Sequence, residues 1–365
     1  MAVFGNAPGV NTRVATSTIA NYLKTEEDNI LRKRRMTAAL QEHGRIKLNE
    51  SGDSLVWPIR YKRAPLNKIG DVVNIQFARR NRRKVASIGW GGYEVDDAIG
   101  EMEKAINKGP QAIIKMLSKI VPDLKDDIKE GFGLELYKDG ALAANAGGLY
   151  GLESIFGISS ISANNYTFTN NDSYAGHSTA PGVVGSWTGT WPEGNGDDHY
   201  DWWSPPVIAA KGTAWTPSTK TWENTCLEAL SYGITLAERN LTPLDLCLHS
   251  RTSYNNCKVK INERDRVQTQ RDASNSLMVK LGFGSVFNWD GVDQTWEVGV
   301  ESADSSALAY GLTWSAMQLH SLNSQLFMPK SDDDLASLTE RFVLLFFGQL
   351  RMNPRYLMKW SNAAV

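Results

Sequence analysis

The sequence is short of most things that would announce a chemistry. Three cysteines in 365 residues, Cys226, Cys247 and Cys257, cannot all pair with one another; the simplest account is reduced thiols in a protein made in a cytoplasm. No CxxC and no HExxH occur, and none of the five histidines stands at ligand spacing from another, so no structural zinc site is expected. There is no GxSxG elbow, no GxxxxGK[ST] loop, and no strand followed by GxGxxG and a helix. No run of eighteen apolar residues exists, so nothing in the sequence is expected to span a membrane. The opening MAVFGNAPGVNTRVATST lacks the basic-then-apolar pattern of a secretory signal. A formal net charge of -1 argues against binding nucleic acid through bulk charge, while leaving a local patch open.

What is present is an ordinary globular balance, 42% hydrophobic and 22% charged, which is enough for two domains or one large elaborated one. The one unusual count is 12 tryptophans, of which Trp187, Trp191, Trp202, Trp203 and Trp215 lie close together.

The strongest periodic signal runs from Asp96 to Glu130. Ile99, Met102, Ile106, Ile113, Leu117, Ile120, Leu124 and Ile128 fall on one helical face. The stripe keeps its phase across Pro110 and Pro122, which predicts one long kinked helix with a bend near Gly109-Pro110. At about 1.5 Å per residue it would reach on the order of 45–50 Å.

Before it, residues 1–20 read as an arm without its own core, and Thr25–Leu40 as a helix capped by Thr25 with acids in its first turn. Ser54–Arg63 alternates: Leu55, Trp57, Ile59 and Tyr61 share one face. Val72–Phe77 reads as its partner strand with Val73, Ile75 and Phe77 on one face, and residues 64–71 as the turn. Two strands alone bury too little to be stable in water. The apolar face must therefore lie on its own domain or on a neighbouring chain. The basic run Arg79, Arg80, Arg82, Arg83 and Lys84 follows, with Glu94, Asp96, Asp97, Glu101 and Glu103 as candidate partners.

Beyond the helix, residues 131–158 are glycine-rich and read as turns entering a second domain. Residues 159–217 change composition abruptly, as an insertion-like loop would. Lys220–Leu241 then reads as helix, Leu244–Leu248 as a buried strand, and Ser250–Ile261 as a capped helix. Leu277–Phe287 and Thr295–Val300 read as strand-like pieces. Arg341–Leu350 reads as a buried strand, and Tyr356–Trp360 closes the chain after the Asn353-Pro354 turn.

Three clusters invite chemistry. Asp197, Asp198, His199 and Asp201 could hold Ca²⁺ but depart from the EF-hand pattern, and read rather as a solvated polar turn. Cys247 and His249 share a strand face, which reads as core rather than as a dyad. The tryptophans of 187–215 could stack sugars, or supply a local core or a subunit contact. No catalytic, cofactor-binding or metal-binding residue is assigned.

The order of these parts resembles the major capsid protein of tailed bacteriophages, the Hong Kong 97 fold. The local stretches GLELYKDGALAANAGGLYGLESIF and LDLCLHSRTSYNNCKVKI agree with that family's habits. The resemblance implies an α+β fold. Residues 1–40 would be an N-terminal arm, 41–93 an extended β-hairpin loop, and 94–134 with 331–365 a peripheral domain built on a spine helix and a C-terminal strand. Residues 135–330 would be an axial α/β domain carrying the 159–217 loop. It implies no enzyme, but a shell subunit that assembles with itself as hexamers and pentamers into an icosahedral virion head around packaged double-stranded DNA, made in the bacterial host cytoplasm. Portal and decoration proteins are implied partners. No long N-terminal delta region is seen, so scaffolding would be a separate protein or unnecessary. The family's lysine–asparagine crosslink cannot be placed on this sequence. Trp57, Ile59, Tyr61, Ile75 and Phe77 would lie over an adjacent subunit, with Arg79, Arg80, Arg82, Arg83 and Lys84 meeting acids or carbonyls across that contact. Two other readings stay open: an encapsulin-type cellular compartment with the same fold, and a glycan-binding or glycan-cleaving protein using the Trp187–Trp215 cluster.

Overall fold

The computed structural model describes residues 34–64, 66, 68, 79–106, 110–161, 168–170, 172–184, 189, 193–197, 199–209, 221–238, 242–264, 277–281, 284–304, 306–334 and 339–361. The proposed arm, most of the 25–40 helix and the whole of Val72–Phe77 lie outside them.

A helix over Arg35–Glu42 leads to β1 (Ile46–Lys47), β2 (Ser54–Arg60), β3 (Arg83–Gly89) and β4 (Gly91–Gly100). Two helices, Glu101–Ile106 and Pro110–Glu135, follow. Then come the short strands β5 (Ile158–Ile161), β6 (Phe168–Asn170), β7 (Ser173–Tyr174) and β8 (His177–Ser178), and β9 (Val207–Ala209). The helix Trp222–Glu238, β10 (Leu246–His249) and the helix Arg251–Arg264 come next. After a short helix, Leu277–Lys280, lie β11 (Val286–Trp289), β12 (Val292–Trp296), the helix Val298–Ala303, β13 (Ala307–Leu312) and β14 (Met317–Ser321). β15 (Met328–Asp334), β16 (Thr339–Met352) and β17 (Met358–Ser361) complete the order.

The first sheet is built around β16. It runs β1-β14-β16-β15, with β4 also pairing β16 antiparallel over ten residues, Gly91–Gly100 against Thr339–Gly348. The segment RFVLLFFGQL has the β-branched and aromatic content of a strand. Its two-residue period sends Leu344 and Phe346 inward and leaves Phe347 exposed. Ile120, Leu124 and Ile128 of the long helix pack with Ile99 and Leu344 on the inward face. Phe132, one turn further along, meets Phe346 edge-on with centroids 4.7 Å apart.

Two expectations need correction here. Asp96–Ile99 belong to β4 and not to the helix: a ten-residue ladder with β16 outweighs the local helical spacing. Ile99 is buried because it shares the inward face of β4 with Tyr93 and Val95, and Met102, expected on the buried stripe, is largely exposed. Pro110 is the first residue of the second helix, where proline's missing N–H costs nothing, and the expected bend at Gly109 falls outside the described residues. Pro122 lies within the continuing helix.

The second sheet has the order β11-β12-β10-β13-β17-β9. Both its faces are covered. Cys247, Ala309, Met358 and Trp360 face the helices Trp222–Glu238 and Arg251–Arg264. Leu246, Leu248, Tyr310 and Leu312 join the core cluster containing Tyr137, Leu152, Ile155 and Phe156. The expected helix–strand–helix order over 220–261 is present, and the Ser250 hydroxyl accepts the Ser253 N–H at 3.2 Å as an N-cap should. The later expectations were coarser than the chain. Leu277–Lys280 and Val298–Ala303 are short helices flanking the β11–β12 hairpin, whose turn is Asp290-Gly291 with both residues at positive φ. Tyr356–Trp360, grouped with the first sheet's region from sequence, instead supplies β17 to the second sheet.

The glycine-rich stretch after the long helix is a tight backbone crossing. A Cβ on Gly151 would meet the carbonyl oxygens of Glu135, Leu136 and Lys138 at 2.6–2.7 Å, so only glycine lets the chain pass the helix end there.

Candidate assembly site

The residues expected to form an inter-subunit contact are on or next to the β2–β3 hairpin. Its strand partner is not the one expected. Ser54–Arg60 pairs antiparallel with Arg83–Gly89, in the register Pro58 to Val85. Arg83 and Lys84 are thus the first residues of a strand rather than part of a loop run after one. The pairing continues past Arg60, because Tyr61 N–H donates to Arg82 O at 3.2 Å.

The alternation in SLVWPIR is real: Leu55, Trp57 and Ile59 are buried, with Ala86 and Ile88 beside them from β3. What covers them is this same chain. Trp57 lies 6.4 Å from Tyr174, centroid to centroid, and the Arg351 guanidinium sits 5.3 Å above the Trp57 ring. Tyr61 lies 5.8 Å from Trp202, which stacks on Trp203 at 5.5 Å. Trp203 in turn stacks on Tyr174 at 6.2 Å and donates its indole N–H to the Tyr174 carbonyl at 3.3 Å. The Tyr174 hydroxyl donates to Leu350 O at 2.7 Å and accepts the Met352 N–H at 3.1 Å, which ties the stack to the end of β16. Burial pushes the Tyr174 phenol above its ordinary value, so it stays a neutral donor. Two further bonds hold β3 down: Ser87 N–H donates to Ala175 O at 3.2 Å, and His177 Nε2 lies 2.9 Å from Val85 O.

Trp57 and Ile59 are therefore covered within this chain, in one core cluster with Tyr174, Trp202 and Trp203. Tyr61 is half-buried on the same platform. Lys84 is also spent within the chain, its Nζ lying 5.4 Å from the Tyr61 ring and 5.1 Å from the Trp202 ring. Ile75 and Phe77 lie outside the described residues. Arg79, Arg80, Arg82 and Arg83 are exposed. The outward face of the hairpin carries Val56 and Val85, 55% and 63% exposed, and Leu66 beyond the paired strands is fully open to solvent. Trp202 and Trp203 supply the local core that was one reading of the Trp-rich stretch, but what they cover was not read from sequence. The signal was there, in aromatics on a loop with no periodicity, but nothing local said what they would cover.

A second junction lies where residue 34 enters. Arg35 N–H donates to Glu297 Oε2 at 2.7 Å, Arg34 Nη1 lies 3.7 Å from Glu297 Oε1, and Arg34 Nε donates to Glu130 Oε2 at 3.1 Å. The first helix is thereby clamped between the long helix and the second sheet. Burial raises the Glu297 carboxyl to about 6 despite the two arginines.

The other clusters read from sequence have partners within the chain. Burial lowers His249 to about 4 and raises Cys247 to about 12, and His249 Nε2 lies 2.7 Å from Gln294 Oε1. Burial thus disfavours both the Cys247 thiolate and the His249 imidazolium. Asp197 lies 2.9 Å from His199 Nδ1, and Asp201 is fully buried with Arg355 Nη2 at 3.8 Å, so a guanidinium stands near the carboxylate offered to Ca²⁺; Asp198 lies outside the described residues. Among the described residues no group of three or more His, Cys, Asp or Glu could hold a metal ion, and no helix is long and apolar enough to cross a membrane. Trp202 and Trp203 are 8% and 1% exposed and have no free face for a sugar; Trp187, Trp191 and Trp215 lie outside the described residues.

No family model matches the chain, and no curated protein matches its sequence. Solved structures do match its fold. A chain of the cyanophage A-1(L) capsid asymmetric unit superposes with a TM-score of 0.58 at 14% identity, over 97% of this chain and 100% of that one. The capsid of the Myoviridae phage XM1 gives 0.52 at 12% identity, over 98% and 100%. The capsid of the native GTA particle, computed with C5 symmetry, gives 0.51 at 9% identity, over 96% and 99%. The mixed α+β fold is thus shared over nearly its whole length with phage capsid chains.

Proposed function

We propose that this chain is the major capsid protein of a tailed double-stranded DNA bacteriophage, a non-enzymatic shell subunit located in the virion. The observation that carries the proposal is the extent of the likeness: nearly all of this chain aligns with nearly all of several capsid chains. In this reading Pro110–Glu135 is the spine helix and the β16-centred sheet is the peripheral domain. The six-stranded sheet with its helices is the axial domain. Residues 1–33 are the arm, and the β2–β3 hairpin with the residues beyond it is the extended loop. The subunits associate as hexamers and pentamers around packaged DNA, after synthesis in the host cytoplasm. Scaffolding, portal and decoration proteins are the expected partners.

The inter-subunit contact moves accordingly. With Trp57 and Ile59 covered at home, the reach falls to Leu66, the outward Val56 and Val85, and Arg79, Arg80, Arg82 and Arg83, together with Ile75 and Phe77. Arginine suits such a contact, because its fork can bind carboxylates or carbonyls bidentately on an exposed strand. Glu94 and Asp96, on the face of β4 opposite the long helix, are acids of matching charge.

Negative-stain electron microscopy of the purified chain tests the proposal. Closed or partly closed shells are expected. A chain that stays monomeric in sizing under every assembly condition overturns it. A cellular compartment of the same fold would also give shells; particles that hold an enzyme cargo rather than DNA would decide for that reading.

A further inference from the structure

Lys359 is a lysine in a place where lysine is rarely found. It sits on β17 opposite Tyr310 of β13, on the sheet face turned toward the glycine-rich crossing, with its side chain 1% exposed. Its Nζ is 2.8 Å from Glu153 Oε2 and 2.7 Å from Asp304 Oδ2. The rings of Phe156 and Tyr310 lie 6.0 and 5.9 Å away, so water is kept from the nitrogen. Tyr310 OH also hydrogen-bonds Glu153 Oε1. Asp304 is set by Ser306, whose N–H donates to Oδ1 at 2.8 Å and whose hydroxyl donates to Oδ2 at 2.6 Å. Asp304 alone of the three reaches solvent appreciably, at 27%.

A buried amine, a carboxyl in contact with it, and a second carboxyl in contact with the amine are the components of an amide-forming site. We propose that Lys359 and Asp304 condense into an intrachain isopeptide bond, with Glu153 as the acid–base group. The proton balance closes without any co-reactant. Glu153 takes one proton from the Lys359 ammonium and passes it to the Asp304 carboxylate, which gives a neutral amine facing a neutral carboxyl. The Nζ lone pair attacks Asp304 Cγ and the C–N bond forms. The resulting oxyanion at Oδ1 is held by the Ser306 N–H. Glu153 relays the second amine proton to Oδ2, the C–O bond breaks, and one water leaves through the exposed side of Asp304. The third proton stays on the amide nitrogen. Burial raises the Glu153 carboxyl, which suits it to take the first proton; Asp304 is held below its usual range, against its own burial, by Lys359 and Ser306, and the Lys359 share of that hold ends once the ammonium has given up its charge. The product would tie β17 to the segment following the helix Val298–Ala303, closing a loop whose ends are 55 residues apart in sequence.

The test is the intact mass of the full-length folded chain, measured after denaturation, beside that of Glu153→Gln. The wild type is expected to be lighter than its sequence by one water, and its tryptic digest to contain one branched peptide joining Lys359 to Asp304. Glu153→Gln, folded by circular dichroism, is expected to show its full sequence mass. A wild-type mass equal to the sequence after prolonged incubation at neutral pH overturns the proposal. A linked Glu153→Gln chain would overturn the role given to Glu153. The readout is covalent and does not depend on shell formation, so its failure and that of the capsid reading are separate results.

Discussion

The two sheets solve the burial problem differently. The six-stranded sheet is covered on both faces, and its central strands β10 and β17 are buried at every position. The β16-centred sheet is covered along its length on one face only; its other face buries Gln349 and His320 but is open at Phe347, and β4 alternates partly buried with exposed. A sheet covered twice is complete in one chain. A sheet covered once, with a charged and apolar outer face, has surface left for a partner. The difference predicts where mutations will unfold the monomer and where they will spare it while changing association.

The largest loss is expected in the doubly covered sheet. Trp360 is fully buried, donates its indole N–H to Ala229 O at 2.9 Å, and lies so close to Gly233 that a Cβ there would collide with the ring. Trp360→Ala should cost about 3–5 kcal/mol, because a large cavity opens and the Ala229 carbonyl loses its buried donor. Chemical denaturation of the soluble chain measures it. Leu344→Ala, in the smaller cluster under the long helix, should cost less, about 2–3 kcal/mol, since several of its neighbours are only partly buried and can close in. If Leu344→Ala costs as much as Trp360→Ala, the distinction between the two sheets fails.

Next in size is a pH effect at the junction between them. Glu297 is raised from 4.5 to about 6, chiefly by burial. A carboxyl raised on folding binds its proton more tightly folded than unfolded. Its favourable contribution is complete below the unfolded value and is lost as pH rises through the folded one. The wild type should therefore lose about 2 kcal/mol of stability between about pH 3.5 and about pH 7 from this group, most of it as pH passes from 4.5 to 6. Glu297→Gln should flatten that slope, as read by urea midpoints across the range. An unchanged slope would show that Arg34 and Arg35 fully offset the burial of this carboxylate.

The sequence exposed some of this and hid the rest for physical reasons. Short-range periodicity was legible: the alternation of Leu55, Trp57 and Ile59, the helical face of Ile120, Leu124 and Ile128, the Ser250 cap, and the strand character of RFVLLFFGQL. Pairing partners were not. Asp96–Ile99 looked helical because Ile99 and Met102 are three apart, and only the ladder with Thr339–Gly348, some 240 residues later, decides for strand. The same blindness sent the 54–60 strand to Val72–Phe77 rather than to Arg83–Gly89. It also hid what Trp202 and Trp203 would cover, since the platform they form with Tyr174 is assembled from loops whose only common property is what they cover. The hairpin's need for a partner was inferred correctly from its size. The identity of the partner required the third dimension.

The smallest effect on stability is the sharpest test of the comparison. Val56 and Val85 occupy the outward face of the hairpin, and Pro58 sits directly opposite Val85. Neither valine contributes to a described core cluster, so Val56→Ser and Val85→Ser should each change monomer stability by less than about 0.5 kcal/mol. Trp57→Ser, one residue away but facing the Tyr174 platform, should destabilise the monomer by several times that amount, roughly 3 kcal/mol or more. The order should reverse in association. If the outward face is the reaching one, the paired Val56→Ser and Val85→Ser chain will fold with an unchanged denaturation midpoint yet raise the concentration needed for shell formation, measured by sedimentation and electron microscopy. Unaltered assembly by that chain would remove the hairpin's paired strands from the contact and leave only the residues beyond Arg60 to make it.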